Sequence, residues 1–395
     1  MLFPDYNGGS LVNLMSTIGN HFGINMKYPS LRDFPPNFLD RTHEGKTDSS
    51  PVVLIVIDGL GYNYLLKQDK NSNFRRYLRG SMTSVFPSTT AAAMTSYYSG
   101  VAPLNHGVPA WFTYLREMGV VSTILLMNIR GFRTPLLYND LVATDIFDFP
   151  SFAAKLPCAS ASLFPKPIFR TPYSSYAVRK SRELKYRSKN IKNFFKTMLK
   201  TLTSKNSPAY LLSSWPDFDS HSHIYGIHSE KTQQQFEALD FEFGRFVDKV
   251  KEKVPAAHII LTADHGLVDT PDDRTLWLHD YPELRSMLTL PIVGEGRVPF
   301  LYVRPRTISA FEQYMNRHFS DFGELWSLDR ALKEGIFGLY EPHPRFIERV
   351  GDYLLFMKDN YVFRERLLGE SKEKMIGNHG GWSKDEMEIP LILVD

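Results

Sequence analysis

The chain has 395 residues, 43% of them hydrophobic, 13% aromatic and 23% charged, the make-up of a globular protein with a sizeable core. Its formal net charge of +3 is too small to demand nucleic acid or a membrane as partner, and its one cysteine, Cys158, excludes an internal disulfide framework. The first residues lack the basic and apolar blocks of a signal peptide, and no apolar run reaches the roughly 18 residues of a membrane span; a cytoplasmic protein is expected.

In chain order, the first strong element is VVLIVIDGLG (52–61), a continuous β-branched run ending in Asp58 and glycine. A run without alternation predicts a strand covered on both faces, as in a parallel sheet. FPSTTAAAMTSYYSG (86–100) follows, with the hydroxyls of Ser88, Thr89 and Thr90 ahead of helix-favouring alanines; by itself this reads as a helix cap. VVSTILLMNI (120–129) reads as a further strand. Residues 131–206 begin loop-like and proline-rich and end in a block, 179–205, with ten Lys and Arg against one Glu. That block predicts a solvated helix face, with a second reading as an electrostatic guide for anionic substrates.

AYLLSSWPDFD (209–219) is the next buried strand, TQQQFEALDFEFGRFVDKVKEKV (232–254) an amphipathic helix, and HIILTADHG (258–266) another strand. Residues 280–375 mix strand and helix patterns, and EIPLILVD (388–395) closes the series. Strands alternating with helices predict an α/β fold, a doubly wound and mostly parallel sheet with helices on both faces. Residues 1–279 and 376–395 form its core, 131–206 a loop and helix insertion, and 280–375 a small α+β cap.

Ligands of such sheets bind at the carboxyl ends of the strands. Asp58, Asp219 (or Asp217) and Asp264 stand there, the last beside His265. In DFDSHSHIYG, Asp217–His221 and Asp219–His223 each have the i, i+4 spacing of one helix face, and His379 sits between glycines in GNHGGWS. Three carboxylates and three imidazoles converging in an apolar crevice would repel and lose hydration unless cations neutralised them. Two divalent ions meet that need; the histidine-rich set points to zinc, with manganese or iron as alternatives. Beside such ions a threonine hydroxyl becomes a nucleophile, so the hydroxyl triplet reads as more than a cap.

The ordered set DGLG, FPSTTAAAMTSYYSG, DSHSHIYG, TADHG and GNHGG, from residue 58 to residue 379, resembles the alkaline phosphatase superfamily, and within it the type I phosphodiesterase/nucleotide pyrophosphatase branch. The resemblance implies Thr90 as nucleophile, with Asp58, Thr90, Asp264 and His265 around one zinc. It implies Asp219, His223 and His379 around the other, the Asp217–His221 register remaining open as the alternative. Ala91, beside the nucleophile, and Arg297 of the second insertion are candidate substrate contacts, with Arg274 and His279 as further ones. Ala93 stands where relatives usually place an asparagine that contacts a phosphate oxygen, which weakens a nucleotide substrate. No arginine flanks Thr90, which favours a diester over a monoester, and the cysteine or serine pattern of sulfatases is missing. The implied activity is metal-dependent cleavage of phosphodiester or pyrophosphate bonds in a small phosphate ester through a phosphothreonine. The alternatives are a phosphomutase, a phosphonate or phosphomonoester hydrolase, or a metal-binding homologue without catalysis.

Overall fold

The apolar run at 52–57 forms β1 (Val52–Ile57), with all six residues buried. It lies at the centre of the protein's computed structural model, which describes residues 1–39, 50–132, 143–370 and 374–394. Residues 133–142 and 371–373 of the two expected insertions, and Asp395 of the last expected strand, lie outside the described residues. β2 (Leu78–Thr83), β3 (Ser160–Pro165), β4 (Arg182–Tyr186), β5 (Tyr210–Trp215), β6 (His258–Thr262) and β7 (Glu388–Val394) complete one sheet in the order β2-β7-β6-β1-β5-β3-β4. β1 runs parallel to β5 and β6, and β3 parallel to β5 and β4, while β7 runs against both of its neighbours.

Register brings the strand ends together. Ile57 lies opposite Trp215 and Val56 opposite Thr262, so β1, β5 and β6 reach their carboxyl ends at one level. The aspartates that follow each strand therefore project into one crevice, as in other doubly wound sheets.

Helices cover both faces. Tyr210 and Trp215 lie five residues apart on β5, an odd interval that places them on opposite faces. Tyr210 packs against Phe22 and Phe152, whereas Trp215 packs against Phe194 of the helix Ile191–Leu202. That helix is the second half of the basic block, whose first half forms β4 and not the expected helix: its buried stripe includes Phe194, Phe195, Met198 and Leu202, and its lysines face outward. It packs beside the helix Glu230–Lys253, which buries Phe236, Leu239, Phe243, Phe246, Val247 and Val250 at helical spacing. Among the described residues no helix is long and apolar enough to cross a membrane.

A second seven-stranded sheet is antiparallel throughout, in the order Gly323–Ser327, Tyr353–Met357, Pro299–Leu301, Val293–Gly294, Phe112–Leu115, Val120–Thr123, Asn128–Ile129. Two assignments made from sequence therefore change. The run 120–129 is two short strands of this sheet, broken by a turn with Met127 at positive φ, and adds nothing to the central one. The stretch 131–206, expected as loop and helix, supplies β3 and, beyond it, the edge strand β4. RELKY carries the charge typical of a sheet edge, and SASLFP, though fully buried, has serines and a proline that break the apolar continuity marking the other central strands.

The second sheet braces the loops around the crevice. Phe356 stacks on Phe86 at 5.3 Å and on Trp382 at 4.1 Å. Phe86 opens the segment that carries Thr90, and Trp382 closes the one that carries His379.

Candidate active site

Asp58 directly follows β1, and Gly59 after it turns with φ +78°, a left-handed conformation that favours glycine. A Cβ there would stand 2.6 Å from Leu267 Cδ1 and 3.1 Å from Asp219 Cβ, so glycine lets the segments after β1, β5 and β6 close on one another. The Gly59 amide donates to Asp264 Oδ1 at 3.0 Å, fixing that carboxylate.

The three hydroxyls of the triplet go to three different places. Ser88 donates to the Gly381 carbonyl at 2.7 Å and Thr89 to Glu295 Oε1 at 2.7 Å. Thr89 is the N-cap of the buried helix Thr90–Ser99, yet its side chain is spent on Glu295 and caps nothing. Of the three, Thr90 faces the strand-end aspartates: its Oγ1 lies 3.3 Å from Asp58 Oδ1 and 3.1 Å from His265 Nε2. Ala91 has a fully buried side chain, which leaves its amide, one of the unpaired N–H groups of the helix start, as its route to a ligand. Ala93 is fully buried as well.

The histidines share one arrangement. His265 Nδ1 lies 3.0 Å from the Gly266 carbonyl, His223 Nδ1 2.7 Å from the Gly377 carbonyl, and His379 Nδ1 3.2 Å from the Ser88 carbonyl. A carbonyl oxygen accepts only, so each Nδ1 carries the proton and each Nε2 presents a lone pair. Those lone pairs point at carboxylates: His265 Nε2 is 3.5 Å from both Asp58 Oδ1 and Asp264 Oδ2, His223 Nε2 3.1 Å from Asp219 Oδ2, and His379 Nε2 3.9 Å from Asp219 Oδ1. The rings of His265 and His379 stack at 3.8 Å.

Two groups emerge, Asp58–Asp264–His265 and Asp219–His265–His379, each with candidate ligand atoms within 4.8 Å of one another. Asp219 Oδ1 and Asp264 Oδ2 are buried without a hydrogen-bond partner. A buried carboxylate oxygen without a donor costs free energy unless a cation meets it. Imidazole nitrogens oriented by backbone carbonyls are the usual preparation of metal-binding histidines. The residues present thus fit divalent cations. Burial, then Asp264 and Asp219, push the Asp58 carboxyl well above the usual carboxylate range. Burial opposes ionisation of Asp219 too, but His223, His379 and His265 outweigh it and hold its carboxyl low. Burial, with His265 beside it, depresses His379 strongly. Burial would lower the pKa of His223, but Asp219 outweighs it and raises the imidazole. Acidic groups crowded at such cost would be relieved by a cation.

The other register is turned away. Asp217 Oδ2 accepts the Lys189 amide at 2.8 Å, and His221 Nδ1 bonds the Asp217 carbonyl of its own helix at 2.8 Å. Within the helix Asp217–Tyr225, Asp219 and His223 face the crevice instead. Arg274 lies at Asp359 and over the Tyr361 ring, and His279 is exposed beside Asp280; neither touches the cluster.

Arg297 also departs from the reading as a substrate contact. Its side chain is 1% exposed and clamps Glu386, itself fully buried, through bonds of 3.0 and 3.1 Å. The rest of its guanidinium bonds the carbonyls of Asp359 and Tyr361. Glu386 in turn accepts the Gly381 amide at 2.8 Å and the Ser383 hydroxyl at 2.6 Å, so Arg297 steadies the loop that carries His379. In a GEGRVP turn an arginine reads equally as ligand or as clamp; the carboxylate that captures it lies far along the chain. Three neighbours of the site carried no sequence signal of their own. These are Glu295, which also accepts the Trp111 amide at 2.8 Å, Asn378, and Arg364, which donates to Asn378 Oδ1.

The large sheet with its carboxylate and imidazole groups at the strand ends is an alkaline-phosphatase-like α/β fold. Solved structures of ectonucleotide pyrophosphatase/phosphodiesterase 5 share it. The murine protein superposes with a TM-score of 0.67 at 15% identity, an inactive murine variant in complex with AMP with 0.67 at 16%, and the human protein with 0.66 at 16%, each covering 87% of both chains. Residues 52–382 match the profile of the type I phosphodiesterase/nucleotide pyrophosphatase family, and the chain belongs to that family. An uncharacterized pyrophosphatase/phosphodiesterase of Schizosaccharomyces pombe is 28% identical over 88 residues, which span 22% of this chain and 18% of the yeast protein.

Proposed function

We propose that the protein hydrolyses phosphodiester or pyrophosphate bonds of small phosphate esters at a two-metal site, through a phosphothreonine on Thr90. The observation that carries this reading is the position of Thr90 Oγ1, within 3.3 Å of Asp58 and 3.1 Å of His265, at the start of a helix with unpaired amides. Asp58, Asp264, His265 and Thr90 would hold one cation, and Asp219, His223 and His379 the other. The donor set suits zinc. When bound, two divalent cations supply Lewis acidity for the charge that develops on the phosphoryl oxygens.

The chain's own residues do the rest. Asp58 and the helix start aim the Thr90 oxygen at phosphorus, opposite the departing oxygen. The Ala91 amide and the helix dipole favour a phosphoryl oxygen at that end. Thr90 carries the phosphoryl group until water attacks the same phosphorus from the vacated side and restores the hydroxyl. Fully buried neighbours keep the hydroxyl in place, so proximity supplies much of the rate.

Thr90→Ala tests this directly. The variant retains its metals, counted per chain by elemental analysis, and loses at least about a thousandfold in turnover of bis(p-nitrophenyl) phosphate. Parental turnover by the variant would overturn the nucleophile assignment.

A further inference from the structure

Arg364 ends the short strand Val362–Arg364, its side chain mostly withdrawn from solvent against Gly296 and Asn378. It donates to Asn378 Oδ1, the residue before His379. Asn378 is itself oriented by its bond to the Ile376 carbonyl at 3.0 Å. Gly377, one residue earlier, offers the carbonyl that orients His223. Arg364 thus stands against the short segment that carries His379 and, through the Gly377 carbonyl, orients His223. A Cβ on Gly296 would come within 3.2 Å of its Nε, so a glycine keeps the path of the side chain open.

Its charge is unmatched. Among the described residues no carboxylate lies within ion-pairing distance of Arg364, whereas the buried Arg130, Arg297 and Arg349 are each paired with a glutamate. Glu295, the carboxylate that bears most on its charge, already accepts from Thr89 and Trp111 through Oε1. A guanidinium has five N–H donors, and the bond to Asn378 uses one of its terminal nitrogens. A largely desolvated cation without a carboxylate calls for an anion from elsewhere, and the planar fork of arginine matches two phosphate oxygens.

Resting on the two-metal reading above, we propose that Arg364 recognises a second phosphoryl group joined to the one under attack, which makes pyrophosphate-linked esters the preferred substrates over simple diesters. Arg364 flanks the cation set that does not contain Thr90, and in an in-line displacement the departing oxygen lies opposite the nucleophile. A departing phosphate would carry its extra charge to that side. The missing arginine beside Thr90 is then no sign of indifference to charge, because the cation arrives from the second sheet.

The test compares the zinc-loaded full chain with Arg364→Gln and Arg364→Lys. Calorimetric titration with inorganic pyrophosphate reads binding without turnover, and elemental analysis checks that zinc per chain is unchanged. Arg364→Gln is expected to weaken pyrophosphate binding by about tenfold or more, and Arg364→Lys to recover part of it, since charge persists while the fork is lost. In turnover, Arg364→Gln loses at least about tenfold in kcat/KM on a pyrophosphate-linked dinucleotide and less than about threefold on bis(p-nitrophenyl) phosphate. Equal losses on both substrates, unchanged pyrophosphate binding, or loss of zinc would overturn the proposal. If the parent turns over neither ester yet binds pyrophosphate through Arg364, hydrolysis falls and the anion subsite stands.

Discussion

Replacing Arg297 with methionine separates a clamp from a substrate contact. The pair it forms with Glu386 has side chains 1% and 0% exposed. Burial alone would push the Glu386 carboxyl up, and Arg297 with Ser383 and Gly381 holds it below the usual range. Removing the guanidinium leaves a buried carboxylate with only the Ser383 and Gly381 donors, and it orphans the Asp359 and Tyr361 carbonyls. Breaking one partner of such a pair costs about 3–5 kcal/mol, a large share of the roughly 5–15 kcal/mol that holds a protein folded. With an m-value of about 3 kcal/mol/M for a chain of this size, the urea midpoint followed by tryptophan fluorescence should fall by about 1–2 M. The double variant Arg297→Met with Glu386→Leu should recover part of the loss, because no charge is then left buried alone. A midpoint within about 0.2 M of the parent, together with a raised KM and unchanged kcat, would refute the clamp and restore Arg297 to the substrate.

Asp58→Asn should raise the stability of the metal-free protein, by removing a carboxyl whose ionisation is opposed by burial and then by Asp264 and Asp219, while lowering divalent metal per chain; thermal unfolding with and without chelator, with elemental analysis, checks both. Gly380→Ala forces φ +108° on a side chain and sets its Cβ 2.6 Å from Glu295 Cβ, so it should destabilise the fold by about 1–3 kcal/mol and shift His379, a candidate ligand, as thermal unfolding and metal per chain would read. His106 is fully buried, with Nδ1 accepting the Val108 amide at 3.1 Å and Nε2 beside Ser96 Oγ at 3.0 Å, and burial lowers its pKa to about 3. Because the folded value lies below the unfolded 6.5, its neutral form contributes stability that is whole above pH 6.5 and is lost as pH falls towards 3. Within that window the parent should lose up to about 1.4 kcal/mol per pH unit more than His106→Gln, read from urea midpoints at each pH. Equal slopes would sink the assignment.

The central strands were legible because burial on both faces leaves an uninterrupted apolar run, as in Val52–Ile57 and His258–Thr262. The metal candidates were legible because aspartate and histidine are out of place at strand ends, and because five motifs kept a recognisable order. What stayed hidden depended on partners far along the chain. Whether Asp217 or Asp219 turns inward is decided by Lys189 and by the Gly377 segment, neither of which is local to the helix. Arg297 and Arg364 are alike as sequence; one meets Glu386, the other Asn378. Likewise, Phe112–Leu115 and Val120–Thr123 look like any short strands until Val293–Gly294 offers them an edge.

β7 has a consequence for assembly. It is threaded between β2 and β6, although β2 is synthesised long before it. Until it arrives, those two strands present open edges across an empty slot, prone to pairing with the wrong chain. The His379 loop precedes it closely, so the carboxylate and imidazole cluster cannot be finished before the sheet nearly is. Any cation taken up there should therefore be acquired late, and a chain stalled before Glu388 should be a substrate for chaperones.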